Sequence, residues 1–533
     1  MSVNEMKRPT CNHIFILVCI ATWLAVAYSM PLRETLNDYG VHSLIQYKLL
    51  FFAACIYAFV LSLAGILNVF KPLAVVFILI AAPASFYMTQ YGILIDADML
   101  INAIETDSAE AADQLSSSFF ASVFMMGVIP SAVLLYVKIP ESTILGRVKQ
   151  GIALMLCFTI LSTGFAFTNY DDFASLFRNH RDVKYRIVPF NVIAAGVSVI
   201  KQKTNESAEF IRLGEDAVIG HNASSKPRIM VVVLGETARS DHFSVNGYSR
   251  DTTPRIEQLA ANGEVFSYNE ATSCGTATAI SVPCMFSFYN ADNYDSAARN
   301  TSNVLDVLQT AGIKVTWVEN NSGCKNVCDR VDTIMMAEAD CGPDGCFDSD
   351  MLGELSAWMN GIDRDAIIVL HQMGSHGPAY FARSPHEIKQ FLPECETPEL
   401  TACRREEIVN AYDNSLIVTD HLIAEVIEQV QNDSYVEASV IYVSDHGESL
   451  GDNGVYLHGL PNWLAPREQR HIPWVVWPKA RFITDTDAQA KSISHDNFSH
   501  TLLGYFNVET TLYDNKLDLT KQTKDKEDAD IAP

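Results

Sequence analysis

Five long apolar runs fill the first third of the chain, and they constrain its fold more than any other feature. Each run is long enough to cross a lipid bilayer, and none contains Asp, Glu, Lys or Arg. We therefore predict five transmembrane helices. The runs are Ile14–Met30, Leu49–Phe70, Pro72–Ile95, Phe119–Val137 and Gly151–Tyr170.

The first run also has features of a signal peptide. Lys7 and Arg8 precede it, and Ala25-Val26-Ala27 could serve as a cleavage site. We expect an uncleaved helix here, and the four runs that follow make the protein integral to the membrane in either case.

Basic residues predict how the helices are oriented, because Lys and Arg favour the cytoplasmic side. They precede the first run, and they separate the second from the third (Lys71) and the fourth from the fifth (Lys138, Arg147 and Lys149). The loop 96–118 has none. The N-terminus is thus predicted inside and the segment after the fifth run outside. We divide the chain into a five-helix transmembrane domain (1–170), amphipathic bridging helices with a linker (171–225), an exported domain (226–515) and a polar tail (516–533).

Charge and cysteine spacing restrict the class of protein. A net charge of −25 and an isoelectric point near 4.9 argue against nucleic-acid binding. Eight cysteines after residue 270 form close pairs, which indicates local disulfides in an oxidising compartment. A zinc ribbon would need Cys-x-x-Cys spacing, which these pairs lack. The pairs are Cys274/Cys284, Cys324/Cys328, Cys341/Cys346 and Cys395/Cys403.

The segment 171–225 contains no long apolar run. Phe173–Phe177 and Val188–Ile193 have the pattern of amphipathic helices among basic residues. Such helices can lie on a membrane surface, or they can tether the chain by packing on the exported domain. Asn205–Lys226 is predicted to be a polar linker.

From Arg228 onward, short apolar strands alternate with helix-like segments such as Asn303–Ala311 and Glu407–Val430. This alternation predicts an α/β fold with a mostly parallel sheet that is covered on both faces. Ligands of such sheets bind beyond the carboxyl ends of the strands. The predicted strands are Ile229–Leu234, Lys314–Val318, Ala366–His371, Ser439–Ser444 and Ile472–Trp477.

Several strand ends carry side chains that can ligate a metal. Glu236 follows the first strand, and His376 follows the third. The fourth strand is followed by Asp445 and His446 and, further on, by His458. One histidine at a strand end is usually structural, but several such groups at one sheet edge indicate a metal site. Oxygen and nitrogen donors suit zinc, with manganese or magnesium as alternatives. Glu236, Asp445 and His446 as ligands would leave one coordination position open.

The stretch Ser273–Cys284 is rich in small and hydroxyl residues between two cysteines. Composition alone predicts a surface loop with a structural disulfide. Beside a metal, however, a Thr hydroxyl loses its proton far more readily than in water. Thr278 is therefore a candidate nucleophile, and Ser281, Thr276 and Ser273 are alternatives that spacing does not exclude.

Five motifs together carry a family resemblance. They are Gly235-Glu-Thr-Ala-Arg239, Cys274-Gly-Thr-Ala-Thr278, Ser281-Val-Pro-Cys-Met-Phe-Ser287, His371-Gln-Met-Gly-Ser-His-Gly-Pro-Ala-Tyr380 and Ser444-Asp-His-Gly-Glu-Ser-Leu-Gly451. The chain resembles, over nearly its whole length, the lipid A phosphoethanolamine transferases, of which the mobile colistin-resistance enzymes are a branch. The resemblance implies an exported domain of the alkaline-phosphatase/sulfatase type. It also implies a Cys274–Cys284 disulfide, and the Cys324/Cys328 pair points to the chromosomal type of enzyme.

The resemblance further implies roles for individual residues. A zinc ion would be held by Glu236, Thr278, Asp445 and His446, with Thr278 as the nucleophile. His376 and His458 would act in catalysis, and they would bind a second zinc or the substrate phosphate. The residues implied for the phosphatidylethanolamine site are Asn102, Thr106, Glu110, Ser322, Lys325 and these two histidines.

Three of those residues form a pattern of their own. Asn102, Thr106 and Glu110 recur every four residues, which would make one polar stripe on a helix. Taken alone, such a stripe is a solvated helix face; the resemblance assigns it to lipid binding.

The implied reaction transfers phosphoethanolamine from phosphatidylethanolamine to a phosphate group of lipid A through a covalent phospho-Thr278 intermediate. This modification would give resistance to polymyxin and to cationic antimicrobial peptides. We expect a monomer in the bacterial inner membrane with its catalytic domain in the periplasm.

Other functions are considered as alternatives. The acceptor could be a core sugar of lipopolysaccharide (Kdo or heptose), or the protein could be a membrane phosphoglycerol transferase or a sulfatase-like hydrolase. A sulfatase needs a Cys-x-Pro-x-Arg motif, and Cys341-Gly-Pro-Asp-Gly lacks the Arg. A catalytically dead membrane sensor is disfavoured because every candidate ligand is intact.

Overall fold

The computed structural model describes residues 8–106, 111, 114–206, 210–220, 226–295, 297–336, 341, 346–484 and 493–520. The chain forms two compact units. The first comprises Met1–Leu100 and Leu115–Val199, and the second comprises Ile101–Gln114 and Ile200–Pro533. The domain boundaries given above stay predictions.

The first unit is built of helices, most of which are apolar. They are α1 (His13–Ala27), α2 (Met30–Asp38), α3 (Ser43–Ile66), α4 (Phe70–Tyr91), α5 (Ala97–Glu105), α6 (Ser117–Tyr136) and α7 (Ile144–Thr168), with α5 continuing into the second unit. By length and composition, α3, α4, α6 and α7 can each cross a bilayer. The pair α1 and α2, bent by 45°, supplies a fifth span if it is counted as one. The prediction of several apolar helices long enough to span a membrane is therefore confirmed. Their number is four, or five if the bent pair counts as one span.

Two further helices follow, α8 (Tyr170–Asn179) and α9 (Phe190–Glu206). Phe173 and Leu176 of α8 are buried in an apolar cluster of the first unit together with residues of α2 and α3. The hydroxyl of Tyr57 on α3 donates to the carbonyl of Val188, ahead of α9, at 2.6 Å. Burial of its apolar face thus places α8 among the helices of the first unit.

The second unit is built on a seven-stranded sheet with the order β3-β10-β7-β2-β6-β4-β5. Its strands are β2 (Arg228–Gly235), β3 (Phe266–Thr272), β4 (Lys314–Glu319), β5 (Asp332–Met335), β6 (Ala366–His371), β7 (Glu437–Ser444) and β10 (His471–Trp477). Strands β7, β2, β6, β4 and β5 are parallel, and β10 is antiparallel to β7 and β3. Two small pairs flank the sheet, β1 (Val218–Ile219) with β11 (Val508–Glu509) and β8 (Ser449–Asp452) with β9 (Val455–Leu457).

The prediction of a mostly parallel sheet is confirmed, and all five predicted strands are present. Strands β3 and β5 were not predicted. Both lie at the edges of the sheet, and their sequences Phe-Ser-Tyr-Asn-Glu-Ala-Thr and Asp-Thr-Ile-Met lack a continuous apolar run. Edge strands bury less of their surface, so their apolar signal is weaker.

Helices cover the sheet and close the core. They are α10 (Pro254–Ala261), α11 (Thr278–Met285), α12 (Val304–Thr310), α13 (Met351–Met359), α14 (Arg405–Gln431) and α15 (Asp496–Tyr505). Side chains alternate along a strand, so Met230, Val232 and Leu234 share one face of β2. They pack in one core cluster with Phe286 and Phe498. Helix α14 contacts β2 and β7.

Strand register brings the carboxyl ends of the parallel strands level with one another. Leu234 of β2 pairs with His371 of β6, Gly235 pairs with Ser444 of β7, and His371 pairs with Glu319 of β4. The residues that follow these pairs therefore emerge at the same edge of the sheet. This edge is where sheets of this kind bind their ligands.

All four neighbouring cysteine pairs are present as disulfides: Cys274–Cys284, Cys324–Cys328, Cys341–Cys346 and Cys395–Cys403. At the chain end, the segment described up to Thr520 packs on the second unit. Leu519 is buried, and its carbonyl accepts from the backbone N–H of Ile483. The rest of the predicted tail lies outside the described residues.

Candidate functional site

Thr278 is the first residue of α11, and its side chain is buried at the sheet edge described above. Its Oγ1 lies 3.1 Å from Glu236 Oε2 and 3.3 Å from His446 Nε2. The amino end of a helix carries partial positive charge, which favours an anion beside it. The hydroxyl therefore faces a group of metal-type ligands at a position that suits a phosphate.

The other hydroxyls of this stretch have different partners. Ser281 Oγ donates to the backbone carbonyl of Asp445, Thr276 Oγ1 donates to the carbonyl of Leu460 at 2.6 Å, and Ser273 Oγ donates to the carbonyl of Gly275. Each of these hydroxyls is thus engaged with the backbone. Ser281 Oγ also lies 3.3 Å from His495 Nδ1. Among the described residues, Thr278 is the one candidate whose hydroxyl contacts a carboxylate, and it contacts the imidazole of His446 as well.

Glu236, Asp445 and His446 place three ligand atoms within 4.8 Å of one another, all fully buried. His446 Nδ1 lies 2.8 Å from the carbonyl of Gly447. Because a carbonyl only accepts, Nδ1 carries the hydrogen, and the lone pair of Nε2 is directed to the carboxylates. His446 Nε2 is 3.3 Å from Asp445 Oδ2 and 3.5 Å from Glu236 Oε1.

The electrostatics of this cluster fit a cation. Without a metal, burial raises the pKa of Asp445 to about 6, and burial followed by the neighbouring Asp445 raises the pKa of Glu236. Burial and His458 lower the pKa of His446 to about 4, which keeps its imidazole neutral. Asp445 Oδ2 is a buried oxygen without a hydrogen-bond partner among the described residues. Two buried carboxylates and one unpaired oxygen are unfavourable unless a cation balances them.

His458 and His376 lie beside this cluster. The ring centroids of His458 and His446 are 4.4 Å apart, and those of His458 and His376 are 5.4 Å apart. Glu448 Oε2 lies 2.8 Å from His458 Nδ1, and its Oε1 accepts from the hydroxyl of Tyr380 at 2.6 Å. Burial raises the pKa of Glu448 to about 7. A second group of metal-type ligand atoms consists of His446, Glu448 and His458, so it contains Glu448 where the sequence suggested His376.

Hydrogen bonds from residues that are not candidate ligands hold the Glu236 carboxylate in place. Asn321 Nδ2 donates to Glu236 Oε2 at 2.9 Å and to the carbonyl of Gln372 at 2.7 Å. The backbone N–H of Asn321 donates to Glu319 Oε1 at 2.7 Å, and Glu319 Oε2 lies 2.9 Å from His371 Nδ1. Burial opposes a charged His371, but the Glu319 carboxylate outweighs it and raises the pKa of His371.

The loop after β6 requires a glycine where it passes Glu236. Gly374 has φ +53, and a Cβ there would lie 2.7 Å from the backbone oxygen of Glu236. Only glycine combines this left-handed conformation with such a close approach. The same turn lets Ser375 N donate to that oxygen at 3.1 Å, which fixes the start of the His376 segment.

Some of the residues implied for lipid binding lie close to one another. Lys325 Nζ donates to Ser322 Oγ at 3.0 Å and to the backbone carbonyl of Glu105 at 3.1 Å. Thr106 follows Glu105, and its hydroxyl donates to the carbonyl of Asn102 at 2.8 Å. These residues all belong to the second unit. Glu110 lies outside the described residues.

Three residues of the site were not predicted from the sequence, although two of them carried a sequence signal: Glu448, His371 and Asn321. Glu448 belongs to the run Asp-His-Gly-Glu at the end of β7, and His371 ends β6. Asn321 had no such signal, because it reaches Glu236 across 85 positions of sequence.

Comparison with known proteins gives two matching families. A family described as Sulfatase matches residues 228–508, and one described as Phosphoethanolamine transferase EptA/EptB matches residues 53–204. Together they span most of both units.

Individual relatives match over most of their length. Phosphoethanolamine transferase EptA of Escherichia coli (strain K12) is 35% identical over 532 residues, which cover 95% of this chain and 96% of the relative. Phosphatidylethanolamine transferase Mcr-1 of Escherichia coli is 39% identical over 466 residues, which cover 83% and 84%. The solved integral membrane protein lipooligosaccharide phosphoethanolamine transferase A of Neisseria meningitidis superposes with a TM-score of 0.89 at 32% identity, covering 96% of this chain and 99% of that one.

Proposed function

The chain belongs to the EptA family of phosphoethanolamine transferases and is an enzyme; from that premise we propose that it transfers phosphoethanolamine from phosphatidylethanolamine to a phosphate group of lipid A. The observation that carries the proposal is the buried contact of Thr278 Oγ1 with Glu236 and His446. A hydroxyl in this setting is an activated nucleophile rather than a structural group.

We propose zinc as the metal of this site, held by Glu236, Thr278, Asp445 and His446. The neutral imidazole of His446 and the unpartnered Asp445 Oδ2 support a divalent cation with nitrogen and oxygen ligands. When bound, the ion would lower the pKa of the Thr278 hydroxyl and offset negative charge on the phosphate.

In the first half-reaction, Thr278 Oγ1 attacks the phosphorus of phosphatidylethanolamine. The new Oγ–P bond forms as the bond from phosphorus to the diacylglycerol oxygen breaks. Glu236 Oε2, 3.1 Å from Oγ1, is placed to take the hydroxyl proton. His458 or His376 supplies a proton to the departing diacylglycerol oxygen. Phosphoethanolamine is left on Thr278.

In the second half-reaction, a phosphate oxygen of lipid A attacks the same phosphorus. The Oγ–P bond breaks, and Thr278 Oγ1 regains its proton. The carboxylate of Glu448 holds His458 Nδ1 at 2.8 Å, so the ring keeps one orientation through both steps.

Lys325 supplies local positive charge for the phosphate groups of the substrates, whereas the net charge of the protein is −25. Its ammonium is buried against Ser322 and the carbonyl of Glu105. We propose that Lys325 and Ser322, with Asn102, Thr106 and Glu110, bind the phosphatidylethanolamine headgroup. His376 and His458 would contact the transferred phosphate.

Substitution of the nucleophile tests the proposal. Thr278→Ala should abolish transfer of a fluorescent phosphatidylethanolamine headgroup, and the mass increase of phosphoethanolamine on the peptide containing residue 278 should disappear. Thr276→Ala is the matched control, because it removes a neighbouring hydroxyl that bonds only to a backbone carbonyl. Retained transfer by Thr278→Ala, with a normal unfolding temperature, would refute the role of Thr278.

The acceptor is tested by lipid mass spectrometry of expressing cells. We expect a phosphoethanolamine increment on lipid A itself and reduced killing by polymyxin, because the added amine lowers the negative charge of the lipid. An increment found only on the core-sugar fragment would move the acceptor to Kdo or heptose.

We further propose that the protein is a monomer in the inner membrane, with its second unit in the periplasm.

A further inference from the structure

A cavity of about 990 Å³ lies in the first unit, where the ends of α1, α3, α4, α6 and α7 meet. This volume is at the upper end of the range of ligand pockets. Its charged and polar lining includes His13, Lys71, Lys138, Glu141, Arg147 and Gln150. The nucleophile and its neighbours belong to the second unit, so this cavity is not part of the site described above.

The three cations of the cavity come from three of these helix ends. Lys71 is the second residue of α4, Lys138 follows α6, and Arg147 lies in the first turn of α7. The chain before α1 pairs with the α6–α7 connection: Lys138 N donates to the carbonyl of Pro9 at 2.9 Å, and Cys11 N donates to the carbonyl of Lys138 at 3.0 Å. These backbone bonds fix the wall that carries Lys138.

A glycine allows α7 to approach α3 closely at this level. A Cβ on Gly151 would lie 2.2 Å from Cγ1 of Ile66, so any larger residue would push the helices apart. Arg147 lies one turn before Gly151 and is held at the cavity by this crossing.

The charge of the cavity is unbalanced. Three cations line it against one carboxylate, Glu141, among the described residues. Lys71 Nζ donates to the backbone carbonyls of Leu135 and Val137. Arg147 Nε is a buried donor that has no hydrogen-bond partner in the described part of the chain. An unsatisfied buried donor is costly, and a bound anion would satisfy it.

Orientation in the membrane explains the sign of these charges, but it does not explain why the Nε atom of Arg147 is buried at the cavity. Lys149, two residues after Arg147, is equally basic, yet it is exposed and does not line the cavity. The exposed apolar side chains of Leu67, Ile144 and Leu145 lie within two positions of lining residues in sequence. Acyl chains can lie against such side chains while a headgroup enters the cavity.

We propose that this cavity binds the phosphate headgroup of an anionic phospholipid from the leaflet at this end of the helices. Basic pockets between transmembrane helices on the cytoplasmic side recognise such headgroups. The guanidinium of Arg147 donates to the phosphate oxygens, and Lys138 and Lys71 add positive charge. The ligand differs from the zwitterionic donor lipid in carrying a net negative charge, so the site is separate from the transfer reaction.

Lipid titration of the full-length protein tests the proposal. The protein, in an uncharged detergent, is titrated with phosphatidylglycerol, phosphatidylcholine or inorganic phosphate, and bound lipid is counted by native mass spectrometry. One cation near an anionic headgroup contributes about 1 kcal/mol, which corresponds to roughly five-fold in affinity. Arg147→Gln should therefore weaken phosphatidylglycerol binding roughly five-fold, and Arg147→Gln with Lys138→Gln roughly 25-fold.

Lys149→Gln is the matched control, because it removes the same charge two residues away outside the cavity. It should leave the affinity within about two-fold of the parent protein. Equal weakening by Lys149→Gln and Arg147→Gln would overturn the proposal in favour of diffuse surface attraction. Equal binding of phosphatidylcholine would overturn it too, and inorganic phosphate binding as tightly as phosphatidylglycerol would show a free-anion site. If Arg147→Gln does not fold, Lys138→Gln alone provides the test, because Lys138 lies on a connecting loop; it should weaken phosphatidylglycerol binding roughly five-fold. Headgroup transfer by each variant shows whether it is correctly folded.

Discussion

Replacing Asn321 with alanine should weaken metal binding although Asn321 is not itself a candidate ligand. Its Nδ2 donates to Glu236 Oε2 at 2.9 Å, and this hydrogen bond stabilises the ionised carboxylate in one orientation. The ionised form is the one that binds metal. Asn321 is buried, so water does not replace the lost donor.

The magnitude follows from the kind of hydrogen bond. A bond to a charged group contributes about 1.5–3 kcal/mol, which corresponds to roughly 10- to 150-fold in an equilibrium constant. Removal of hydrogen-bond partners behind a metal ligand commonly costs about 10- to 100-fold in affinity. We therefore expect the zinc dissociation constant of Asn321→Ala to rise by about 10- to 100-fold.

The measurement is a competition titration of the full-length protein with a chromophoric zinc chelator, alongside thermal unfolding. Asn320→Ala is the control, because Asn320 Nδ2 also donates to a carboxylate, Asp348 Oδ1, at 2.8 Å. Asp348 is not a candidate ligand. Both variants should lose thermal stability, whereas only Asn321→Ala should lose zinc affinity. Unchanged zinc affinity in Asn321→Ala, or an equal loss in both variants, would refute the reasoning.

Two further predictions concern the surroundings of Thr278. Glu448→Gln keeps the shape of the side chain but removes the charge that holds His458, so kcat should fall about 10- to 100-fold while zinc content stays the same; loss of zinc with a normal kcat per bound zinc would contradict this role. Replacing either the Cys274–Cys284 or the Cys395–Cys403 disulfide by serines should destabilise the protein by about 2–4 kcal/mol, because the closed loops are of similar length, with separations of 10 and 8. Transfer activity at a temperature where both variants are folded should fall only for Cys274–Cys284, which brackets Thr278, and equal activities would contradict this assignment.

Local sequence predicted much of the architecture. The apolar helices followed from uninterrupted apolar runs, and the five central strands followed from short β-branched runs such as the one in β2. The disulfide partners followed from spacing, since each pair lies within 10 residues. In each case the deciding interaction is close in sequence or is set by periodicity, so the pattern can be recognised without the fold. The edge strands β3 and β5 were not predicted from the sequence, because their burial depends on neighbouring elements rather than on their own composition.

Apolar runs and the alternation of strands and helices predicted membrane-type helices joined to an α/β unit, with metal-type side chains after several of its strands. Residue spacing did not determine which hydroxyl between Ser273 and Cys284 faces these side chains, although the family resemblance assigned Thr278. Only the tertiary structure distinguishes Thr278, because its partner His446 lies 168 positions away, and only there do Asn321 and Glu448 become part of the site. The physical reason is strand register: parallel pairing of β2, β6 and β7 brings residues far apart in sequence to one buried edge, where a few ångströms decide each role.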